Sequence, residues 1–181
     1  MRKSILTFFM LMLIVSGLMA EDTKLYDQPV LITSAGQSAD VKLVGMLAKK
    51  SGINATTINM AQVPDLENIK SLIIVPGYSS KGLGAAGVSQ EDEMKRVTAI
   101  IEAAAKEKIP VILVHIGGKA RRMGQSDLFI SVVVEAARQM IVVQQGNEDG
   151  FFTKISEEKK IPLVLVEKIA AVADPLKAIF N

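Results

Sequence analysis

The stretch HIGGKARRMGQSD, residues 115–127, gathers the chain's only histidine, His115, a Gly117-Gly118 pair, the adjacent Arg121 and Arg122, and Ser126-Asp127. A guanidinium is planar, permanently charged and able to hold a carboxylate or phosphate by two parallel hydrogen bonds, so arginine here points to an oxyanion ligand. Neighbouring side chains diverge. One arginine is therefore expected to reach the ligand, and the other to pair with Asp127, Glu135 or another acid. A second segment, SAGQSAD, contributes Ser34, Gly36, Gln37 and Ser38. Ser38 falls at an expected helix start, where free backbone N–H groups and the positive dipole end favour an anion, although ordinary capping explains a serine there equally well. A third, PGYSSKGLGAAG, offers Ser79, Ser80, Lys81 and Gly82, two hydroxyls and a point charge on a glycine-rich run.

Other chemistries are less well served. With no cysteine and no second histidine, His115 lacks the ligand set of a usual zinc site, and neither metal nor cofactor is expected. As a general base it needs a nucleophile, for which Ser38, Ser79, Ser80 and Ser126 are the candidates, with Asp40 or Asp127 as orienting carboxylate. His115 with Ser79 or Ser80 defines the alternative reading, a hydrolase-type enzyme. The sharp-turn G-x-S-x-G signature is missing, since Lys81 stands where Gly77-Tyr78-Ser79-Ser80 requires a closing glycine. Gly82 to Gly87 reads G-x-G-x-x-G, but it does not sit directly between a strand and a helix and has no acidic residue at the end of the next strand. It is expected to form a flexible lid, not a dinucleotide site.

The elements that must position these residues follow from hydrophobic rhythm. Apolar runs recur at VLITS (30–34), TTINM (56–60), LIIVP (72–76), VILVHI (111–116), MIVVQ (140–144) and LVLVEK (163–168), separated by loops and helical spacing. Most are nearly continuous Val/Ile/Leu, as parallel strands covered on both faces require. Helices are expected over 40–50, ended by Gly52; after a Ser89/Asp92 capping pair, with Met94, Val97, Ile101 and Ala104 facing the core; over 126–139; and within DGFFTKISEEKK and AVADPLKAIF. The result is a three-layer, doubly wound α/β fold, a mostly parallel sheet of five to six strands with helices on both faces. Strand order 2-1-3-4-5 and order 3-2-1-4-5-6 both remain open. Either places the three marked loops at the carboxyl end of the sheet, where such folds bind ligands.

Residues 1–20 read as an export signal: Arg2 and Lys3, an apolar stretch from Ile5 to Val15, and Ala20 closing a cleavage site, with a retained anchor as the alternative. The remaining 161 residues, Glu21 to Asn181, fit a single domain. Loss of the signal removes two positive charges and leaves basic and acidic residues equal at 19 each, so the formal +2 disappears. A balanced chain with 4% aromatics lacks the basic, stacking surface of nucleic-acid binders. Absence of cysteine suits an oxidising compartment, and a periplasmic or secreted location without membrane association after cleavage is expected.

Four strings, PVLITSAGQSADV, SSKGLGAAG leading into EDEMKR, HIGGKARR followed by SD, and GNEDGFFTKI, resemble a family of exported bacterial proteins known as domain of unknown function 6305. The resemblance spans nearly all of the chain after the signal. It departs at Met123-Gly124, where the family pattern places glycine directly after the arginine pair. It implies no activity, and it marks Gly146 to Gly150, whose Asn147, Glu148 and Asp149 are expected to cap the next helix, with rimming the pocket as the alternative. By analogy the fold is similar to flavodoxin-like and Rossmann-like domains, from which function does not follow. The leading expectation is an exported binding protein for a small anionic metabolite, serving an envelope transporter or sensor. A structural or protein-interaction module of the envelope is the third class.

Overall fold

The structure, a computed structural model, describes residues 25–180, so the expected signal at residues 1–20 lies outside the described residues. Six strands, β1 (Val30–Ala35), β2 (Ala55–Thr57), β3 (Ser71–Pro76), β4 (Val111–His115), β5 (Ala137–Val143) and β6 (Leu163–Val166), form one parallel sheet in the order β2-β1-β3-β4-β5-β6. The chain starts in the interior of the sheet, runs outward to β2, then reverses to β3. Strand order therefore switches between β1 and β3, which settles the choice left open by the sequence in favour of the first order, extended by a sixth strand.

Alternate residues of the central strands point to opposite faces, as the two-residue period of a strand dictates. Val30, Ile32, Ile73, Val75, Ile112 and Val114 pack against helices α1 (Asp40–Lys50) and α6 (Ala173–Phe180) through Val41, Val44, Leu176 and Phe180. Leu31, Leu72, Ile74, Leu113 and Val142 pack against α3 (Gln90–Lys106), α4 (Gln125–Val134) and α5 (Phe151–Lys159) through Val97, Ile100, Phe129, Ile130 and Phe152. Helices on both faces of a parallel sheet make the expected three-layer α/β fold.

Three local expectations are corrected. The strand expected at 56–60 is shorter and starts earlier, at Ala55–Thr57; Ile58 and Asn59 still bond to β1, the Ile58 N–H to the Ile32 carbonyl at 2.9 Å and the Asn59 carbonyl to the Ser34 N–H at 3.3 Å, before the chain turns. The helix expected over 126–139 ends at Val134, and β5 already pairs with β4 from Ala137, claiming residues whose β-branched neighbours favour extension. Ser80–Ala86, expected as a flexible lid, is a helix, α2. The Ser79 hydroxyl accepts from the Gly82 N–H at its start, and Gly87 closes it at φ +68°. A side chain at Gly82 would collide with the Gln37 carbonyl, so this glycine serves close packing.

The largest surprise lies in α3. Its buried face is Glu93, Arg96, Val97, Ile100 and Ala104, rotated from the expected stripe, with Met94 and Ile101 at the margin. Glu93 and Arg96 form an ion pair at 2.8 Å with side chains 0% and 5% exposed. The pair reaches across to the loops. Glu93 Oε1 accepts from the Gly36 N–H at 2.9 Å, while Arg96 donates to the Ser34 carbonyl and, at 2.8 Å, to the Ala61 carbonyl. Removing one member leaves the other charged and unpaired in the core, so Arg96→Met should lower unfolding free energy by about 3–5 kcal/mol in urea denaturation. Glu93→Leu combined with Arg96→Met should recover part of that loss, but not all, because the backbone groups of Ser34, Gly36 and Ala61 stay unpaired.

Candidate functional site

The loops after β1 and β3 are joined at the switch point. Gly36 takes φ +96°, and an added Cβ would meet the Gly77 carbonyl oxygen at 2.7 Å. Beyond it, Gln37 forms an antiparallel bridge with Tyr78, and the Ser79 N–H donates to the Gly36 carbonyl at 2.8 Å. The segment after β4 folds over this junction as a 3-10 turn, Gly118–Arg121.

That turn delivers Arg121 to the meeting point of all three loops. The aliphatic stem lies on the bare backbone of Gly77 and Gly117, and a Cβ at Gly117 would collide with it. Arg121 Nε donates to the Ser38 hydroxyl at 3.2 Å and Nη1 to the Tyr78 carbonyl at 3.3 Å. Among the described residues Nη2 has no acceptor, and the side chain is one-third exposed at 33%. Asp40 stands nearby, its Oδ2 3.9 Å from Nε. That oxygen is buried and, among the described residues, has no hydrogen-bond partner. Ser38 lies one position before the helix's flanking residue Ala39, and its hydroxyl accepts from the Asp40 N–H at 3.2 Å, so it supports the start of α1 while also receiving Arg121.

Arg122 is used differently. Nε donates to Asp127 Oδ1 at 2.8 Å, Nη2 to Asp149 Oδ2 at 2.9 Å and Nη1 to the Gly146 carbonyl. Its guanidinium carbon stands 4.0 Å from the centre of the Phe151 ring, and its side chain is 6% exposed. Although burial works against its charge, the Asp149 and Asp127 carboxylates hold its pKa above the ordinary arginine value. Of the two expected partners, Asp127 is the one engaged; Glu135 pairs instead with Lys159 at 2.8 Å.

His115 is fully buried, with Nδ1 3.3 Å from the Pro76 carbonyl and Nε2 3.4 Å from the Gly118 carbonyl. Its ring stacks obliquely on Phe152 with centroids 5.3 Å apart. Burial pushes the imidazole pKa below its usual value. Both recorded partners of the ring are carbonyl acceptors, so the geometry pairs His115 with no serine hydroxyl. The serines are engaged elsewhere: Ser34 accepts from the Gln37 N–H, Ser126 from the Tyr78 N–H and Ser79 from the Gly82 N–H. Ser80 and Lys81 stand exposed in the first turn of α2, and Gly118 takes φ +55° beside Gln145.

Two cavities flank the turn on its far side. One, about 430 Å³, lies between the turn and residues 145–149, bordered by the Lys119–Glu148 and Arg122–Asp149 pairs. The other, about 450 Å³, opens beside Gly117 over the carboxyl ends of β4 to β6.

Several contributors were not legible as site residues. Glu93 and Arg96 were not singled out from the sequence, though their spacing onto Val97, Ile100 and Ala104 places both on the apolar face. Asp40, considered as an orienting partner for His115, stands beside Arg121 instead. Asn147 does cap α5, its Oδ1 accepting from the Phe152 and Thr153 N–H groups, but Asp149 additionally holds Arg122.

Fold and site together define a doubly wound α/β protein with a basic group at the sheet's switch point. Residues 27–180 match the family described as a domain of unknown function, DUF6305, and the chain belongs to that family. No curated protein matches it. Among solved structures, the SGNH-hydrolase family esterase AlinE4 is 16% identical, covering 75% of this chain and 73% of its own, with a TM-score of 0.29. A GDSL-like lipase from Bacteroides thetaiotaomicron VPI-5482 is 14% identical, covering 75% of this chain and 66% of its own, with a TM-score of 0.34. Superpositions this loose say nothing about chemistry here.

The contrast between the arginines is measurable. Arg122→Ala should cost about 2–3 kcal/mol of stability through lost charged hydrogen bonds and ring stacking, and Arg121→Ala less than about 1 kcal/mol, by urea denaturation. His115 sets a pH dependence. Its folded pKa is depressed, so the unfolded chain binds the extra proton: its contribution is complete above the ordinary value of about 6.5 and is lost as pH falls through the folded pKa. Asp92 and Asp149, also held low, act in the separate window below about 3.8. Denaturation midpoints should fall as pH drops below about 6.5, and His115→Gln should flatten that limb.

Proposed function

We propose that this protein is exported and binds a small anionic metabolite, bearing a carboxylate or phosphate, at the carboxyl end of its sheet, with Arg121 as the principal contact. The observation that carries the reading is the division of labour between adjacent arginines. Arg122 is saturated by two carboxylates, a carbonyl and an aromatic face, whereas Arg121 reaches the switch point with Nη2 lacking an acceptor among the described residues. Open parallel sheets bind ligands at that point, and a guanidinium is suited to planar oxyanions. The Ser38 hydroxyl and the adjoining start of α1 supply further polarity of the right sign. A binding protein of this kind in the envelope would pass its ligand to a transporter or sensor. A hydrolase built on His115 receives less support, because its ring nitrogens face backbone carbonyls.

The test is a thermal melt of the chain from Glu21 to Asn181 against carboxylates, phosphates and sugar acids, alongside Arg121→Ala. A ligand at ~100 times its Kd adds ~2.7 kcal/mol, or roughly 5–10 °C for a domain of this size. The expected result is an anion-dependent rise that Arg121→Ala abolishes while its own unliganded melt stays near wild type. A flat response across the panel from a well-folded protein overturns the reading.

A further inference from the structure

We infer that the protein pairs with a second copy of itself through β6, the strand at one edge of its sheet, the two strands running antiparallel about a two-fold axis. The inference goes beyond the anion site and is independent of it.

It starts from the register of the last strand. β6 lies beyond β5, with Leu163 beside Met140 and Val166 beside Val143. The Met140 N–H donates to the Pro162 carbonyl at 2.9 Å, which fixes the phase of the ladder. Successive residues of a strand turn their backbone groups to opposite sides, so 162, 164 and 166 bond toward β5, while Leu163 and Leu165 direct N–H and C=O outward. Among the described residues no hydrogen bond reaches those outward groups.

Water can serve such groups; what singles out this edge is its side chains. Sheet edges are blunted by short strands, charges, prolines or bulges. The opposite edge conforms, since β2 is the three-residue Ala-Thr-Thr with both threonines exposed. β6 is Leu-Val-Leu-Val, in unbroken register with β5 and with no charge inside it. Pro162 offers no protection, because its bonding side faces β5. Leu165 is 43% exposed, and Ile169, which opens the following turn, is 40% exposed.

This strand is its own complement. With Val164 of one copy opposite Val164 of the other, Leu163 of each copy faces Leu165 of the other, and both pairs exchange N–H to carbonyl bonds. Cross-strand partners share a face of the sheet, here the face on which Leu163 packs beside Phe151 and Ile155 of α5. The exposed Leu165 of each copy is thereby covered by Leu163 of its mate. No foreign sequence is needed for the fit, and a two-fold contact of this kind closes at the dimer.

The experiment follows the purified protein by sedimentation velocity and by NMR-detected amide exchange over about a hundredfold range of concentration, in wild type, Leu165→Pro and Leu165→Val. Proline at 165 removes an N–H that points away from the sheet and is tolerated on strand edges, so the fold survives while pairing is blocked. Valine keeps both the N–H and the apolar surface. Wild type should reach twice the monomer mass as concentration rises, and the Leu163 and Leu165 amides should slow at least about tenfold with it, while Val164 and Val166 stay protected throughout. Leu165→Pro should remain a folded monomer, and Leu165→Val should dimerise. A wild type that stays monomeric overturns the inference. So does a dimer whose Leu163 and Leu165 amides exchange as in the monomer, or one that persists in folded Leu165→Pro, since either places the contact elsewhere. If Leu165→Pro fails to fold, the wild-type exchange pattern decides alone.

Discussion

The path by which the chain leaves β1, and so the first loop of the site, depends on one ion pair inside the core. Glu93 and Arg96 sit on the apolar face of α3, where two charges are tolerable only because each satisfies the other and both find further partners. Those partners are backbone groups at the end of β1, at Ser34, and in the loops following β1 and β2, at Gly36 and Ala61. A helix that would otherwise contribute only burial thereby fixes the exit path of β1, and with it Gln37, Ser38 and the start of α1. The left-handed turn at Gly36 is held by this pair on one side and by the Gly77 backbone on the other.

The second support comes from the opposite side of the junction. His115, Phe152 and Phe151 form successive ring contacts, and Arg122 covers Phe151. The stack ties the end of β4 to the start of α5. It anchors one end of the 118–122 segment while the preceding residue projects toward the switch point. Adjacent residues in an extended or turning backbone face different ways, so a doubled arginine can serve as anchor and contact in one dipeptide. The anchored residue limits the positions open to its neighbour, which reduces the ordering needed when a ligand arrives.

Much of this was legible in the sequence, and the failures have physical causes. Continuous Val/Ile/Leu runs announce buried parallel strands because no other element needs apolar residues on both faces over so short a length. The divergence of Arg121 and Arg122 follows from backbone geometry alone, and Asp127 lies near enough in sequence to be named as a partner. The α3 stripe was right at Val97 and Ala104 but left out Glu93, Arg96 and Ile100, because hydrophobic periodicity assumes that charged residues face water, and Glu93 and Arg96 do not. The lid was misjudged because glycine was read as freedom; at Gly82 it permits close approach of α2 to Gln37, and Ser79 caps the turn as firmly as in any helix. Strand order and the approach of Asp40 to Arg121 depend on contacts distant in sequence, for which a single chain carries no local signal.

The stem of Arg121 rests where a Cβ at Gly117 would have to be. These two positions are therefore not independent characters. Any side chain acquired at 117 displaces the Arg121 stem, and a short residue at 121 does not by itself release 117, because the Cβ of residue 121 and Asp40 Oδ2, 2.7 Å from the added carbon, stay in the way. Divergence at this corner must proceed through coupled changes, so a lineage that has lost the glycine will have rebuilt or abandoned the basic contact as well.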